Sequence, residues 1–306
     1  TKGDWHRYKS FAQNSDGTIQ STWRGYLLES EGKNILIDTG MGPGPYDHTD
    51  KTGELLSNLL KLGKKPEDID LLILATSSPD VPLSSTAGII QDKLGCVECA
   101  AFDINAVCAG WVHALDIGSR FAGTSGYQNV LVVGSEIYSR ILNWKDRATC
   151  VLFGDGAGAV VLSEVENDKG ILGSWLMSDG SGSSVIEIPA GGVRTPFNST
   201  DFEEGQQYFH MDGRAVWNFA IEAFPQAVLG VLERFGRTLD EVDLIIPHQA
   251  NINIIEAGMQ NLGLPMDKTY TNLHKYGNTA GASIPIAMHE AFEEGFLKEG
   301  DLVVTV

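Results

Sequence analysis

Two observations in the sequence predict an α/β fold with a duplicated strand unit. From about Pro66 onward, short continuous apolar strands alternate with helix-length segments, the pattern of a sheet covered by helices on both faces. One unit also occurs twice: Pro66-Glu-Asp-Ile-Asp-Leu-Leu-Ile-Leu-Ala-Thr is echoed by Thr238-Leu-Asp-Glu-Val-Asp-Leu-Ile-Ile-Pro-His. Each copy is an acidic turn, a buried strand and a polar segment at the strand's end, as a repeated supersecondary unit would be. Chance likeness between two buried strands is the competing reading, and the chemistry at the strand ends weighs against it.

The elements follow in order. Ile69–Ala75 reads as a buried strand, Ser85–Leu94 as a helix, and Ala100–Asn105 as the next strand. Gly110–Gly123 reads as a helix and Val130–Gly134 as a strand. Arg214–Phe235 is a long helix, Val242–Pro247 a strand, and Ile252–Leu262 and Ser283–Glu294 two further helices. The glycine run Gly154–Gly158 lacks the Lys-Ser/Thr ending of a phosphate-binding loop, so it is read as tight β packing.

The first 65 residues read differently. Trp23–Glu29 and Asn34–Asp38 alternate as a hairpin around Ser30-Glu-Gly-Lys, followed by a Gly/Pro loop from Asp38 and a helix from about Gly53 to Leu62. This stretch resembles the amino-terminal strands of metallo-β-lactamase-fold hydrolases. Those enzymes bind zinc through a histidine-rich run after the next strand, where this chain has Ala75-Thr-Ser-Ser-Pro-Asp80-Val without a histidine. A zinc hydrolase is therefore the weakest functional reading.

Apolar residues make up 42% and charged residues 20% of the 306, ordinary values for a soluble domain. No apolar run approaches the length of a membrane helix, and no signal segment opens the chain, which leaves the cytosol as the expected compartment. A net charge of −18 opposes nucleic-acid binding. Four cysteines at 96, 99, 108 and 150 are too sparse for a disulfide framework. Cys96 and Cys99 form a lone CxxC, read as a turn with two incidental thiols rather than a zinc site.

Three positions carry candidate chemistry. Asp103-Ile-Asn-Ala-Val-Cys108-Ala-Gly places a cysteine between a strand and a helix N-terminus, where the dipole and free N–H groups are expected to favour the thiolate. A buried structural cysteine is the alternative. Pro247-His248-Gln-Ala-Asn251 ends the later strand, at the edge of a sheet where ligands bind, or else His248 merely caps the next helix. Tyr276-Gly-Asn278-Thr-Ala-Gly-Ala-Ser carries an amide side chain on a small-residue loop. The spacings are 140 residues from Cys108 to His248 and 30 from His248 to Asn278.

Order and local context at all three places resemble ketoacyl-ACP synthase III, a thiolase-fold condensing enzyme. So do Asp146-Arg147-Ala-Thr-Cys-Val-Leu-Phe153-Gly-Asp-Gly-Ala-Gly and His210-Met211-Asp-Gly213-Arg-Ala-Val-Trp. The resemblance spans about Pro66 to Val306. It implies a duplicated five-layer α-β-α-β-α fold, with residues 1–65 an atypical segment, 66–165 a first half with Cys108, and 166–306 a second half with His248 and Asn278. It implies an acyltransferase that takes an acyl group from acyl-CoA onto Cys108 and condenses it with a malonyl thioester after loss of carbon dioxide. His248 and Asn278 would stabilise the enolate. No cofactor is implied, since coenzyme A enters as substrate.

By the same resemblance, Arg147 meets the coenzyme A nucleotide and Asn251 and Gly213 the pantetheine arm, with Ala250 beside Asn251 in the substrate channel. Phe153 and Met211 line the acyl pocket, and Leu83 sits where a dimer partner reaches into it, so a homodimer is expected. The family's chains continue past a strand like Leu302–Val306 into a glycine-rich loop that supplies an oxyanion donor, whereas this sequence stops at Val306 and reads as truncated. The basic positions that meet an acidic carrier protein are Asn218 and Asn253 here, which with the net charge weakens carrier steering. Two other readings keep the same residues: an ester-forming acyltransferase with the same triad, and an inactive or recombined thiolase-fold scaffold.

Overall fold

The computed structural model describes residues 25–30, 33–38, 55–165 and 169–306. The backbone of β1 (Gly25–Ser30) pairs antiparallel with β2 (Lys33–Asp38), as the alternation there predicts, with Ser30 opposite Lys33. The Gly/Pro loop that follows lies outside the described residues. Helix α1 (Leu55–Lys61) then leads to β3 (Leu71–Ala75), α2 (Thr86–Leu94), β4 (Ala100–Ile104) and α3 (Gly110–Phe121). Strands β5 (Asn129–Ile137) and β6 (Asp155–Ser163) complete a sheet of order β4-β3-β5-β6, in which only β6 runs antiparallel.

Alternate residues of β3 explain the layering. Leu72 and Leu74 face α1 and α2 in one core, while Leu71, Ile73 and Ala75 face α3 and its Trp111 in another. That second core also contains Leu244 and Ile246 of β9 (Leu244–Ile246) and Ile284 and Ala287 of α6 (Ser283–Glu293). Between β6 and β9 come the short β7 (Ile186–Glu187) and β8 (His210–Met211), which pair antiparallel, and α4 (Gly213–Arg234). On the far side of β9, Ile245 and Val304 pack against α4 and α5 (Ile252–Leu262). The order is helices, sheet, helices, sheet, helices: the five layers of the expected fold.

The sequence echo is a structural repeat. Both units open on a 3₁₀ turn in which an acid accepts the N–H three residues back, Lys65 to Asp68 and Thr238 to Glu241, each at 2.7 Å. The next acid ties its strand to the parallel neighbour's entry. Asp70 accepts from the N–H groups of Gln128 and Asn129 before β5 pairs with β3, and Asp243 accepts from Leu302 N–H before β10 (Val303–Thr305) pairs with β9.

Two sequence expectations need correction. Cys96 and Cys99 do form a turn, but both thiols are buried among Leu72, Leu94 and Leu131, so they are core residues rather than incidental ones. And α4, by length and composition, is apolar enough to cross a membrane, which reading for uninterrupted apolar runs overlooked. In this fold its Phe224, Val228 and Leu232 are buried against Val242, Ile245 and α5.

Candidate active site

Cys108 sits in a 3₁₀ turn, Val107–Ala109, between β4 and α3. Two small anchors hold the segment. The Asp103 carboxylate at the end of β4 accepts the N–H groups of Thr86 and Ala87 at 2.8 and 2.6 Å, capping α2, and Asn105 Oδ1 accepts Val107 N–H at 3.1 Å. Val107 has φ +49°, a left-handed conformation unfavourable for a β-branched residue, so the Cys108 turn stores strain. Ala280, in the Ala280–Ala282 turn packed against it, has φ +44°. Two strained turns therefore meet at the site.

The second turn belongs to the Asn278 loop. Asn278 bridges to Phe153: its N–H donates to Leu152 C=O at 2.8 Å and its C=O accepts Gly154 N–H at 2.9 Å. The glycines of this run serve close packing, as expected. A Cβ on Gly154 would lie 2.0 Å from Tyr276 C=O, and one on Gly158 2.7 Å from Pro285 Cβ. Asn278 is buried, and its Oδ1 accepts Ala280 N–H at 2.8 Å, which turns Nδ2 out as the donating end of the amide.

His248 follows β9. Its own N–H donates to Val306 C=O at 2.5 Å, and its Nδ1 lies 2.6 Å from Ser283 Oγ at the start of α6. Ser283 Oγ also accepts Gln249 N–H at 3.3 Å, and its hydroxyl can still donate to Nδ1 or accept from it, so either tautomer of the neutral ring is accommodated. The cap of α5 is Asn251, whose side chain accepts Asn253 N–H at 2.9 Å, so His248 is not a helix cap. Burial holds the imidazole down to about 4, so it is neutral at physiological pH.

The expected resting thiolate at Cys108 is overturned. Burial pushes the thiol up to about 12, the Glu136 carboxylate adds to this, and the residue's own backbone N–H opposes it only in part. Cys108 is half-buried as a residue, but its side chain packs into the Tyr138, Leu142 and Phe209 cluster, and the helix dipole does not outweigh that desolvation. The resting pair is thus a thiol and a neutral imidazole, and attack requires the proton to leave as the sulfur–carbon bond forms.

Phe153 and Met211 share a cluster with Cys108, together with Tyr138, Leu142, Phe209 and Ala280. Phe153 stacks on Tyr138 with centroids 4.9 Å apart and meets Phe209 edge-on at 4.8 Å, giving an apolar wall beside the sulfur. Ala250 and Asn251 follow His248 at the start of α5 and are half-buried. Arg147 and Gly213 are exposed, the latter as the first residue of α4, and Leu83 stands 91% exposed on the loop before α2. Sequence reasoning missed Ser283 and Glu136. The first lay inside the quoted small-residue loop, and the second was signalled by an acid ending the apolar run Val130–Gly134.

A five-layer duplicated fold with a cysteine turn, a neutral histidine and an oriented amide defines a thiolase-fold condensing enzyme. Comparison with known proteins agrees. The models for 3-oxoacyl-[acyl-carrier-protein] synthase III and its C-terminal domain match residues 102–180 and 232–306. The beta-ketoacyl-[acyl-carrier-protein] synthase III of Caldanaerobacter subterraneus is 49% identical over 242 residues, covering 79% of this chain and 73% of its own. That of Clostridium perfringens is 45% identical over 285 residues, covering 92% and 88%, and so reaches into the first 65 residues here. The crystal structure of the Aquifex aeolicus enzyme superposes with a TM-score of 0.75 at 37% identity, over 87% of this chain and 82% of that one. The chain belongs to the 3-oxoacyl-[acyl-carrier-protein] synthase III family of condensing acyltransferases.

Proposed function

We propose that Cys108 takes an acyl group from acyl-CoA and passes it to the enolate of a malonyl thioester, the condensation that starts fatty-acid or polyketide chains. In the first half-reaction the Cys108 sulfur attacks the thioester carbonyl while His248 Nε2 takes the thiol proton. The carbonyl re-forms, the coenzyme A sulfur leaves, and it carries that proton away. In the second, the malonyl carboxylate departs as carbon dioxide and its electron pair becomes an enolate. Nε2–H of His248 and Nδ2–H of Asn278 donate to the enolate oxygen as charge develops. The enolate carbon attacks the acyl carbonyl on Cys108, and the sulfur leaves and regains a proton from solvent.

The observation that carries this reading is the orientation of Asn278. Its oxygen is held by Ala280 N–H, so its donor end is the one presented, on a loop packed against the nucleophile's turn. Ser283 suits both half-reactions, because its hydroxyl can donate to Nδ1 or accept from it as the histidine changes tautomer. The apolar wall of Phe153, Met211 and Phe209 would take the acyl chain, with Arg147, Gly213, Ala250 and Asn251 along the coenzyme A arm. A homodimer would cover Leu83, and four free cysteines suit a reducing cytosol.

Intact-mass spectrometry after mixing the protein with acetyl-CoA and longer acyl-CoAs tests this. A gain of one acyl group, abolished in Cys108→Ala, is the expected result, followed by release of a β-ketoacyl thioester and carbon dioxide when a malonyl thioester is added. No adduct on folded protein would reject the function. An adduct that turns over to an ester with an alcohol, and not to a β-ketoacyl thioester, would replace the condensation with ester formation.

A further inference from the structure

A buried carboxylate lies behind the nucleophile. Glu136 of β5 is 1% exposed, and neutral donors converge on it from the end of β3. Ser77 N–H reaches both oxygens at 3.2 and 3.1 Å, Ser77 Oγ one of them at 3.0 Å, Ser78 Oγ the other at 2.6 Å, and Thr76 Oγ1 the same one at 3.4 Å. Each hydroxyl accepts a different hydrogen bond and so has its own proton free for the carboxylate. Ser78 Oγ accepts from Ile137 N–H at 2.9 Å and Thr76 Oγ1 from Ser78 N–H at 3.1 Å. The Tyr138 hydroxyl, 2.9 Å from Ser77 Oγ, completes the chain by donating to it. Burial raises the Glu136 carboxyl above its ordinary range, and these donors oppose that shift by stabilising the carboxylate form.

The same carboxylate faces the Asn278 loop at Gly281, and that loop packs in turn on the Cys108 turn. A Cβ on Gly281 would lie 3.2 Å from Glu136 Oε1, 3.5 Å from Val107 C=O and 3.8 Å from Ala75 C=O. A side chain at Gly281 would crowd the carboxylate, which would have to shift by a few tenths of an ångström, where the Asn278 loop meets the Cys108 turn. The Gly281 backbone N–H bonds to the carboxylate as well. Thr76, Ser77 and Ser78 thus belong to one clamp that runs from β3 through Glu136 to the two strained turns.

We infer that Glu136 is a positioning residue for the condensation: a buried carboxylate that ties the end of β3 to the Asn278 loop at Gly281 and, through that loop, holds the Cys108 turn in register. This inference rests on Cys108 being the acyl carrier. The titratable groups that face Glu136 are Cys108 and Tyr138. Its charge opposes ionisation of both, adding to the larger effect of burial. The carboxylate form thereby works against ionisation of Cys108 at rest, and the gain is an ordered pair of turns.

The test compares wild type, Glu136→Gln and Glu136→Asp by the rate of Cys108 alkylation with iodoacetamide between pH 6 and 11, read by mass with Cys108→Ala as blank, together with kcat and KM for acyl-CoA. Glu136→Gln removes the charge, so the pH at which a fixed alkylation rate is reached should fall by about one unit or more. It should also lower kcat about tenfold while KM changes less than twofold. Glu136→Asp keeps the charge but shortens its reach, so the alkylation profile should stay nearer wild type while kcat falls. An unmoved profile in Glu136→Gln, or an unchanged kcat in Glu136→Asp, overturns the inference. Should the glutamine variant not fold, the aspartate variant's kcat decides alone. Wild-type protein that is alkylated at Cys108 yet never acylated there would instead reject the function on which the inference rests.

Discussion

Ser283 Oγ lies 2.6 Å from His248 Nδ1 and joins two segments 35 residues apart, so the orientation of the imidazole is set from α6 rather than from its own strand. Ser283 is itself buried and is also bonded to Gln249 N–H. Replacing it with alanine removes the tautomer partner while leaving the helix start intact. Ser283→Ala should lower kcat about tenfold, the worth of one such hydrogen bond, with KM for acyl-CoA little changed. Steady-state kinetics with acyl-CoA and a malonyl thioester would show this, and a loss expressed only in KM would place the serine in substrate binding instead.

Acylation should be insensitive to pH through the neutral range. The proposed proton acceptor, His248, is neutral above about 4, and the thiol at about 12 is protonated throughout that range. The single-turnover rate of adduct formation should therefore be flat between roughly pH 6 and 9 and fall as His248 becomes protonated near 4, provided the protein stays folded. A rate that climbed tenfold per pH unit across the neutral range would mean attack by a rare pre-formed thiolate without a base.

His289 supplies the matching stability prediction. It is 1% exposed in α6, and burial lowers it to about 3, below its ordinary value of 6.5. The unfolded chain then binds a proton that the folded chain refuses, so the stabilisation is complete above pH 6.5 and is lost as pH falls from there toward 3. Urea midpoints should drop steeply over that window, and His289→Gln should flatten the fall. Equal slopes for the two proteins would assign the acid sensitivity elsewhere, to His248 among others.

How much of this was legible in the sequence depends on what each feature rests on. The strands and helices were, because β3 and β9 are continuous apolar runs and α5 begins at an Asn cap and ends at Gly263, which takes the left-handed φ of +72°. The three candidate residues Cys108, His248 and Asn278 could be picked out because each stands in a distinctive local string. What was not legible depends on three-dimensional surroundings. The thiol's protonation was misjudged because a helix N-terminus is a local feature, while desolvation and Glu136, 28 residues away, are properties of the packed fold. Ser283 and Glu136 act across chain separations of 35 and about 60 residues, and nothing in their immediate neighbours announces those partners.

Asp103 is a case where a motif residue serves structure. Its two oxygens cap the first N–H groups of α2. Asp103→Ala should cost about 1–2 kcal/mol in a urea titration. Acylation of the fraction that remains folded should proceed at a near-normal rate. Abolished acylation in fully folded protein would move Asp103 into the chemistry.

The choice of malonyl carrier should respond to charge at two exposed asparagines. Asn218 on α4 and Asn253 at the start of α5 are exposed, and the resemblance to ketoacyl-ACP synthase III implies basic residues there facing an acidic carrier; the chain's net charge is −18. Long-range repulsion slows the encounter of two acidic proteins, and a basic patch at the point of contact offsets it. Asn218→Lys with Asn253→Arg should raise kcat/KM for carrier-borne malonate several-fold and leave the coenzyme A-borne substrate nearly unchanged. The gain should also shrink as salt is raised, because screening over about 10 Å at 0.1 M removes the long-range part. A gain equal for both substrates would mean that the new charges act on the pantetheine arm or the phosphates they share, and carrier docking would then have to be sought on another face.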